Sequence, residues 1–200
     1  MVHLCKKVLV GFILMIAGIF NSVDAKYNNN SEAQKSALIV YFSHTGNTDL
    51  IVKAMQKELK NFYDVKMLRI EPVNQYPGYG DELRNIANKE ACDDNFRPAF
   101  KEVKVDVQKY DVIFVGCPVW WYTTPKIMIS FLENQNFSGK NVRFFVTHAG
   151  GPGSCIEDME KVCTGAKFGE NIDIYCNSPG NGTVNSDEIP AWIERVKTEI

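Results

Sequence analysis

The chain has 200 residues, 45% of them hydrophobic, and a formal charge of −2 at neutral pH. That is apolar material for one ordinary core and too little for two. A near-neutral balance with no basic block and no acidic tail argues against a nucleic-acid partner.

The first 25 residues stand apart. Lys6 and Lys7 precede thirteen mostly apolar residues, Val8 to Phe20, and then Asn21-Ser22-Val23-Asp24-Ala25. A basic start, a short hydrophobic stretch and small residues at −3 and −1 predict a signal peptide over residues 1–25, cut after Ala25. A spanning helix needs about 20 apolar residues, so a retained anchor is the weaker alternative. No other segment is apolar enough to span a bilayer, and the expected destination is the exterior or the cell envelope. Cleavage takes away two lysines and one aspartate and moves the formal charge to −3. It leaves five cysteines, Cys92, Cys117, Cys155, Cys163 and Cys176, with no CxxC pair. They predict small buried side chains and neither a metal site nor a disulfide framework.

After an Asn-rich linker (residues 26–36), one domain is expected over residues 37–200. Strands are predicted at 37–42, 64–70, 111–117, 142–147 and 170–176. Helices are predicted at 48–60, 81–92, 125–133, 155–163 and 187–198. Val112-Ile113-Phe114-Val115 and Val142 to Val146 are nearly continuous in apolar character, as parallel strands covered on both faces require. The alternation predicts an α/β, doubly wound, five-stranded parallel sheet in the order 2-1-3-4-5. Ligands of such sheets sit beyond the carboxyl ends of the strands, at the switch point between strands 1 and 3.

Three strand ends carry unusual chemistry. Ser43, His44, Thr45, Gly46, Asn47 and Thr48 follow strand 1 and lead into a helix that Asn47 or Thr48 could cap. Hydroxyls, backbone amides and the positive end of a helix dipole together suit a phosphate. Strand 3 ends in Pro118-Val119-Trp120-Trp121-Tyr122, three consecutive aromatics fenced by Pro118 and Pro125. Such a loop is costly to expose unless something flat covers it. Strand 4 ends in Thr147-His148-Ala149-Gly150-Gly151-Pro152-Gly153, where glycines permit close approach of the backbone to a ligand. A phosphate corner, an aromatic wall and a glycine-rich rim at one edge describe a planar heteroaromatic ring with a phosphorylated tail, which is flavin mononucleotide (FMN).

With those motifs in place, the chain resembles the flavodoxin-like family of bacterial type. The resemblance rests on Tyr41–Thr48 (YFSHTGNT), Tyr76-Pro77-Gly78-Tyr79, Arg97-Pro98, Tyr110–Trp121 and Thr147–Ser154. It implies a flavodoxin fold with noncovalent FMN. Ser43, Thr45, Gly46, Asn47 and Thr48 would hold the phosphate, with His44 giving mainly its backbone. Pro118, Val119, Trp120, Trp121 and Tyr122 would line the isoalloxazine. Thr147, His148, Ala149, Gly150, Gly151 and Gly153 would rim its pyrimidine end, His148-Ala149 standing where the family usually has Ser-Gly. Tyr76, Pro77 and Tyr79 either touch the flavin or pack, and Arg97 is read as structural.

Other classes fit poorly. A phosphoacceptor receiver needs acidic residues at the ends of strands 1 and 3, and a P-loop nucleotidase needs a lysine after the glycine. A cysteine phosphatase needs an arginine within the loop after Cys117. A binding module that has lost its flavin is the non-redox rival. Within the redox class, a one-electron carrier competes with a two-electron NAD(P)H oxidoreductase serving a quinone-like acceptor. Residues 118–125 contain no glycine, and side chains such as Trp and Tyr resist positive φ, so a peptide flip toward the flavin is not expected there. Near-neutral charge also departs from the acidity of carriers that steer toward basic proteins. Both features lean toward two-electron chemistry. No catalytic residue is assigned, and the oligomeric state is open.

Overall fold

Six consecutive apolar or β-branched residues need two covered faces, and the sheet supplies them. The computed structural model describes residues 34–177 and 184–200; the expected signal peptide and most of the linker lie outside them. In chain order the elements are β1 (Ser36–Tyr41), α1 (Asn47–Leu59), β2 (Asp64–Arg69), α2 (Asp81–Ala91), β3 (Val112–Pro118), α3 (Lys126–Leu132), β4 (Asn141–His148), α4 (Cys155–Val162), β5 (Lys167–Phe168), β6 (Ile172–Tyr175) and α5 (Ile189–Val196). Short 3₁₀ turns at Val107–Lys109 and Lys197–Glu199 complete them.

All strand pairings are parallel, in the order β2-β1-β3-β4-β5, with β6 also on β4. The expected doubly wound order 2-1-3-4-5 is therefore present. One face of the sheet carries α1 and α5, where Ile39, Phe114 and Phe145 meet Ile51, Met55, Trp192 and Ile193. The other carries α3 and α4, where Leu38, Ile113 and Phe144 meet Met128, Phe131 and Met159. Each inner strand divides its side chains between the two layers, as the period of two demands. At about 25 cal/mol per Å², each fully buried Phe or Leu stabilises the fold by roughly 1.5–3 kcal/mol.

The fifth strand departs from the expected run 170–176. Residues Asn141 and Val142 of β4 pair with Lys167 and Phe168, but Phe145 pairs with Ile172. Two residues of β4 thus face three of the outer strand, a one-residue bulge at Gly169-Glu170-Asn171. The Asn171 side chain patches the break by accepting the Phe144 amide at 2.8 Å. Beyond the bulge Ile172 and Ile174 are buried while Asp173 and Tyr175 are exposed. No helix among the described residues is long and apolar enough to cross a membrane.

Candidate functional site

The carboxyl ends of β1, β3 and β4 meet the N-terminal part of α2 around one cleft of about 800 Å³, counted to its open mouth. Its lining includes His44, Thr45 and Asn47 from the loop after β1, and Pro118, Val119, Trp120 and Trp121 after β3. Thr147, His148 and Ala149 come from the end of β4. Ser43, Gly46, Thr48, Tyr122, Gly150, Gly151 and Gly153 do not line the cleft; they build the loops that do.

In the first loop the helix cap is Gly46, not Asn47 or Thr48. Gly46 has φ +97°, a left-handed conformation that a β-carbon disfavours, and both expected caps are instead inside α1. The first helical bond joins the Leu50 amide to the Gly46 carbonyl, so amides ahead of it are not used by the helix itself. Ser43 Oγ accepts the Asp49 amide at 3.2 Å, and the buried Thr48 hydroxyl bonds Thr147 at 2.9 Å, fastening this loop to β4. An acidic residue in this first turn would oppose an anion. Lys53 first, with help from Tyr41, holds the Asp49 carboxyl below its usual range despite partial burial.

The second loop contains a two-residue turn closed by reciprocal bonds between Trp120 and Thr123, at 3.1 and 3.0 Å. Its central residues, Trp121 and Tyr122, have φ of +51° and +61°. This overturns the expectation that these side chains would keep the loop out of positive φ. Two-residue turns closed by reciprocal bonds favour positive φ at one or both central residues, here at roughly 1–2 kcal/mol per non-glycine residue. The third loop meets part of that cost. The Ser154 amide donates to the Tyr122 carbonyl at 2.8 Å, and the Ser154 and Thr123 hydroxyls share the Asp158 carboxylate. Burial would raise the Asp158 carboxyl, but these hydroxyls and Lys161 outweigh it and hold it low. Gly153 lies under Tyr122 so closely that an added β-carbon would sit 2.0 Å from the Tyr122 oxygen. The Tyr122 ring runs over Gly150 and Gly151.

Trp120 is held edge-on by Phe42, His44 and Tyr76 at 5.4, 5.9 and 4.9 Å between ring centroids. Tyr76 therefore packs behind the wall and donates to Glu90 at 3.1 Å. Burial is the main reason the Glu90 carboxyl is pushed up. Burial also lowers His44. Trp121 reaches the other side and donates Nε1 to the Arg84 carbonyl at 2.9 Å. Arg97 forms a two-pronged bond to Glu133 at 2.6 and 2.7 Å, in keeping with a structural part. Beneath the cleft the sulfurs of Cys117 and Cys155 are 3.7 Å apart and fully buried, and burial pushes the Cys117 thiol well up.

Sequence reasoning missed Leu83, Arg84 and Ala87 of α2, and Cys176, all of which line the cleft, while Tyr79, left open between touching a ligand and packing, lines it too. The i, i+4 pair Leu83 and Ala87 directly after the Tyr-Pro loop was the available signal. An apolar slot between α2 and Trp120, ending at a helix N-terminus, fits a flat ring with a phosphorylated tail. Among the described residues no group of acidic, His or Cys side chains could hold a metal ion.

The comparisons agree with that geometry. No functionally curated protein matches the chain. A protein of Bacteroides uniformis assigned as a flavoprotein is 24% identical, over 80% of this chain and 98% of its own, with a TM-score of 0.67. One from Bacteroides eggerthii is 25% identical, over 81% and 98%, with a TM-score of 0.66. A flavoprotein of Lactobacillus acidophilus, solved in complex with FMN, is 19% identical, over 80% and 99%, with a TM-score of 0.58. The family model described as Flavodoxin matches residues 36–196, nearly all of the described fold, and the chain belongs to the flavodoxin family.

Proposed function

We propose that the protein binds FMN noncovalently in this cleft and moves electrons in pairs, from NAD(P)H to a quinone-like acceptor. The observation that carries the reading is the meeting of an apolar slot with the N-terminus of α1 at the switch point between β1 and β3. Bound there, FMN supplies reversible hydride chemistry that no side chain offers. The chain's own residues bind and orient. Thr45 and the amides of the Gly46 turn take the phosphate. Pro118, Val119 and Trp120 form one wall, Leu83 and Ala87 the facing one, and both exclude water. Thr147, His148 and Ala149 meet the polar end of the ring.

Pairwise transfer is favoured by how firmly the second loop is bonded. The Val119 amide donates to Thr147, the Trp120 and Thr123 backbones bond each other, and the Tyr122 carbonyl accepts from Ser154. Rotating the peptides that carry these groups toward a flavin breaks at least one such bond, at about 1 kcal/mol each. The resistance thus arises from hydrogen bonding and not from an aversion to positive φ. A one-electron carrier is the second reading, favoured by Trp121 and Tyr122, which are 51% and 62% exposed beside the cleft where a protein partner could dock.

Purified protein is expected to be yellow and to release FMN on denaturation. Stepwise reduction should pass to the fully reduced form with little intermediate colour, and NADH or NADPH alone should reduce it measurably. Protein that stays colourless after incubation with excess FMN, FAD and riboflavin refutes the flavin reading. Strong intermediate colour without reduction by either nucleotide selects the carrier. We further propose export, supported by the charged start and the short hydrophobic stretch before Val23-Asp24-Ala25. N-terminal sequencing of native protein should begin at Lys26; an intact Met1 in the soluble cytoplasm refutes it.

A further inference from the structure

His148 closes β4, and its register partner is Tyr175, whose ring meets the imidazole edge-on at 5.9 Å. Asp173, two residues earlier on the same face of β6, lies 2.9 Å from Nε2. A carboxylate only accepts, so this bond places a hydrogen on Nε2 and makes Nδ1 the atom whose protonation can change. Nδ1 is buried and has no hydrogen-bond partner among the described residues, while His148 forms part of the cleft wall. Buried polar atoms are seldom left in that condition, and a proton or a ligand donor relieves it.

The other groups around the cleft are committed elsewhere. Arg84, across the cleft on α2, is bonded to Tyr79 and Asp81. Burial pushes His44, in the first loop, below the ordinary imidazole range. Cys176, following β6, directs its thiol at the Ile174 carbonyl, 3.7 Å away, and burial pushes that thiol up. Among the described residues no lysine lines the cleft.

We propose that the His148–Asp173 pair is a proton-linked cation site, in which Nδ1 takes one proton from solvent when the cleft's ligand becomes anionic. This rests on FMN occupying the cleft. A hydride delivered by NAD(P)H would carry two electrons, oxidise the nucleotide to NAD(P)⁺ and leave the cleft's ligand with one negative charge. The imidazolium, steadied by Asp173, offsets that charge. When hydride passes on to the acceptor, His148 gives its proton to the reduced acceptor or to water. The side chain changes protonation only and is never oxidised.

The test is ¹⁵N NMR of the imidazole in the full mature chain, free, with FMN, and after two-electron reduction, alongside FMN affinities in both redox states. The ring should be neutral with hydrogen on Nε2 in the first two states and doubly protonated in the third. His148→Gln should lose about tenfold more affinity for reduced than for oxidised FMN, which is about 30 mV for a two-electron couple. Asp173→Asn should move the same way by less. A ring that stays neutral on reduction, or a His148→Gln variant losing both affinities equally, overturns the proposal while the FMN reading stands. Wild-type protein that binds no FMN overturns the FMN reading and this proposal with it.

Discussion

Replacing Gly153 with alanine tests whether the loop after β4 holds the aromatic turn in place. Gly153 has φ +56°, so a β-carbon there costs roughly 1–2 kcal/mol of backbone strain before any contact is counted. That carbon would lie 2.0 Å from the Tyr122 oxygen and 2.6 Å from its β-carbon. The nearer neighbour is backbone and has no rotamer to adopt, so the turn itself must shift by more than an ångström. Such a shift breaks the 2.8 Å bond from the Ser154 amide to Tyr122, worth roughly 0.5–1.5 kcal/mol. Together these effects predict a loss of about 2–3 kcal/mol. For a domain of this size that is a fall in Tm of roughly 5–10 °C. Trp120 sits at the start of the same turn, so flavin affinity should fall as well. Gly150→Ala is the control, since the nearest neighbour of its β-carbon, the Tyr122 hydroxyl, is 3.6 Å away. Thermal unfolding followed by circular dichroism and FMN titration by fluorescence read both effects. A Gly153→Ala protein that melts within 2 °C of wild type refutes the argument.

Other perturbations probe separate parts of the site. Thr45→Ala should weaken FMN several-fold and riboflavin hardly at all, by isothermal titration; an equal loss for both means the loop is only a scaffold. Trp120→Ala should remove most of the tryptophan quenching seen on FMN binding, and wild-type quenching in this variant assigns the wall to core packing. Glu90 has a raised pKa, so its contribution is fullest below the unfolded value of about 4.3 and is lost as pH rises through the folded one. Glu90→Gln keeps an acceptor for Tyr76 and should therefore raise denaturant stability at pH 7 and not at pH 4; a loss at pH 7 refutes this. Cys92 is exposed while Cys117, Cys155, Cys163 and Cys176 are buried, so in the mature chain a thiol reagent should modify one cysteine quickly and four only on unfolding.

The architecture was legible because the inner strands need both faces covered, and runs such as Val112 to Val115 have no other stable home. Three ligand-type loops could be placed at one edge from the alternation alone. What stayed hidden depends on contacts between distant segments. The left-handed turn at Trp121-Tyr122 carries no local signal, because the bonds that sustain it reach from Thr123 and Ser154. Gly46 took the cap position from Asn47 through a one-residue shift that propensities do not resolve. The wall formed by Leu83 and Ala87 depends on where α2 lies relative to the sheet, which helical periodicity does not reveal. Glu170 and Asn171, polar residues at a strand start, marked the bulge, yet they were absorbed into a continuous fifth strand.

That bulge has a combinatorial consequence. In a parallel ladder, residues alternate sides in lockstep with their partners, so an extra residue inverts the parity of everything after it. Were the same residues paired continuously with none looped out, His148 would face Ile174, and Asp173 would stand opposite Thr147 on the other side of the sheet. The acid–imidazole pair thus depends on the extra residue between Phe168 and Ile172 being looped out of the ladder and not absorbed by a shift of register. Losing one codon at residues 169–171 would leave two residues facing Arg143 and Phe144, so the bulge would vanish while Phe145 kept Ile172 and His148 kept Tyr175 as partners. The outer strand thus tolerates a change of one residue in length at its bulge without moving the acid that meets His148.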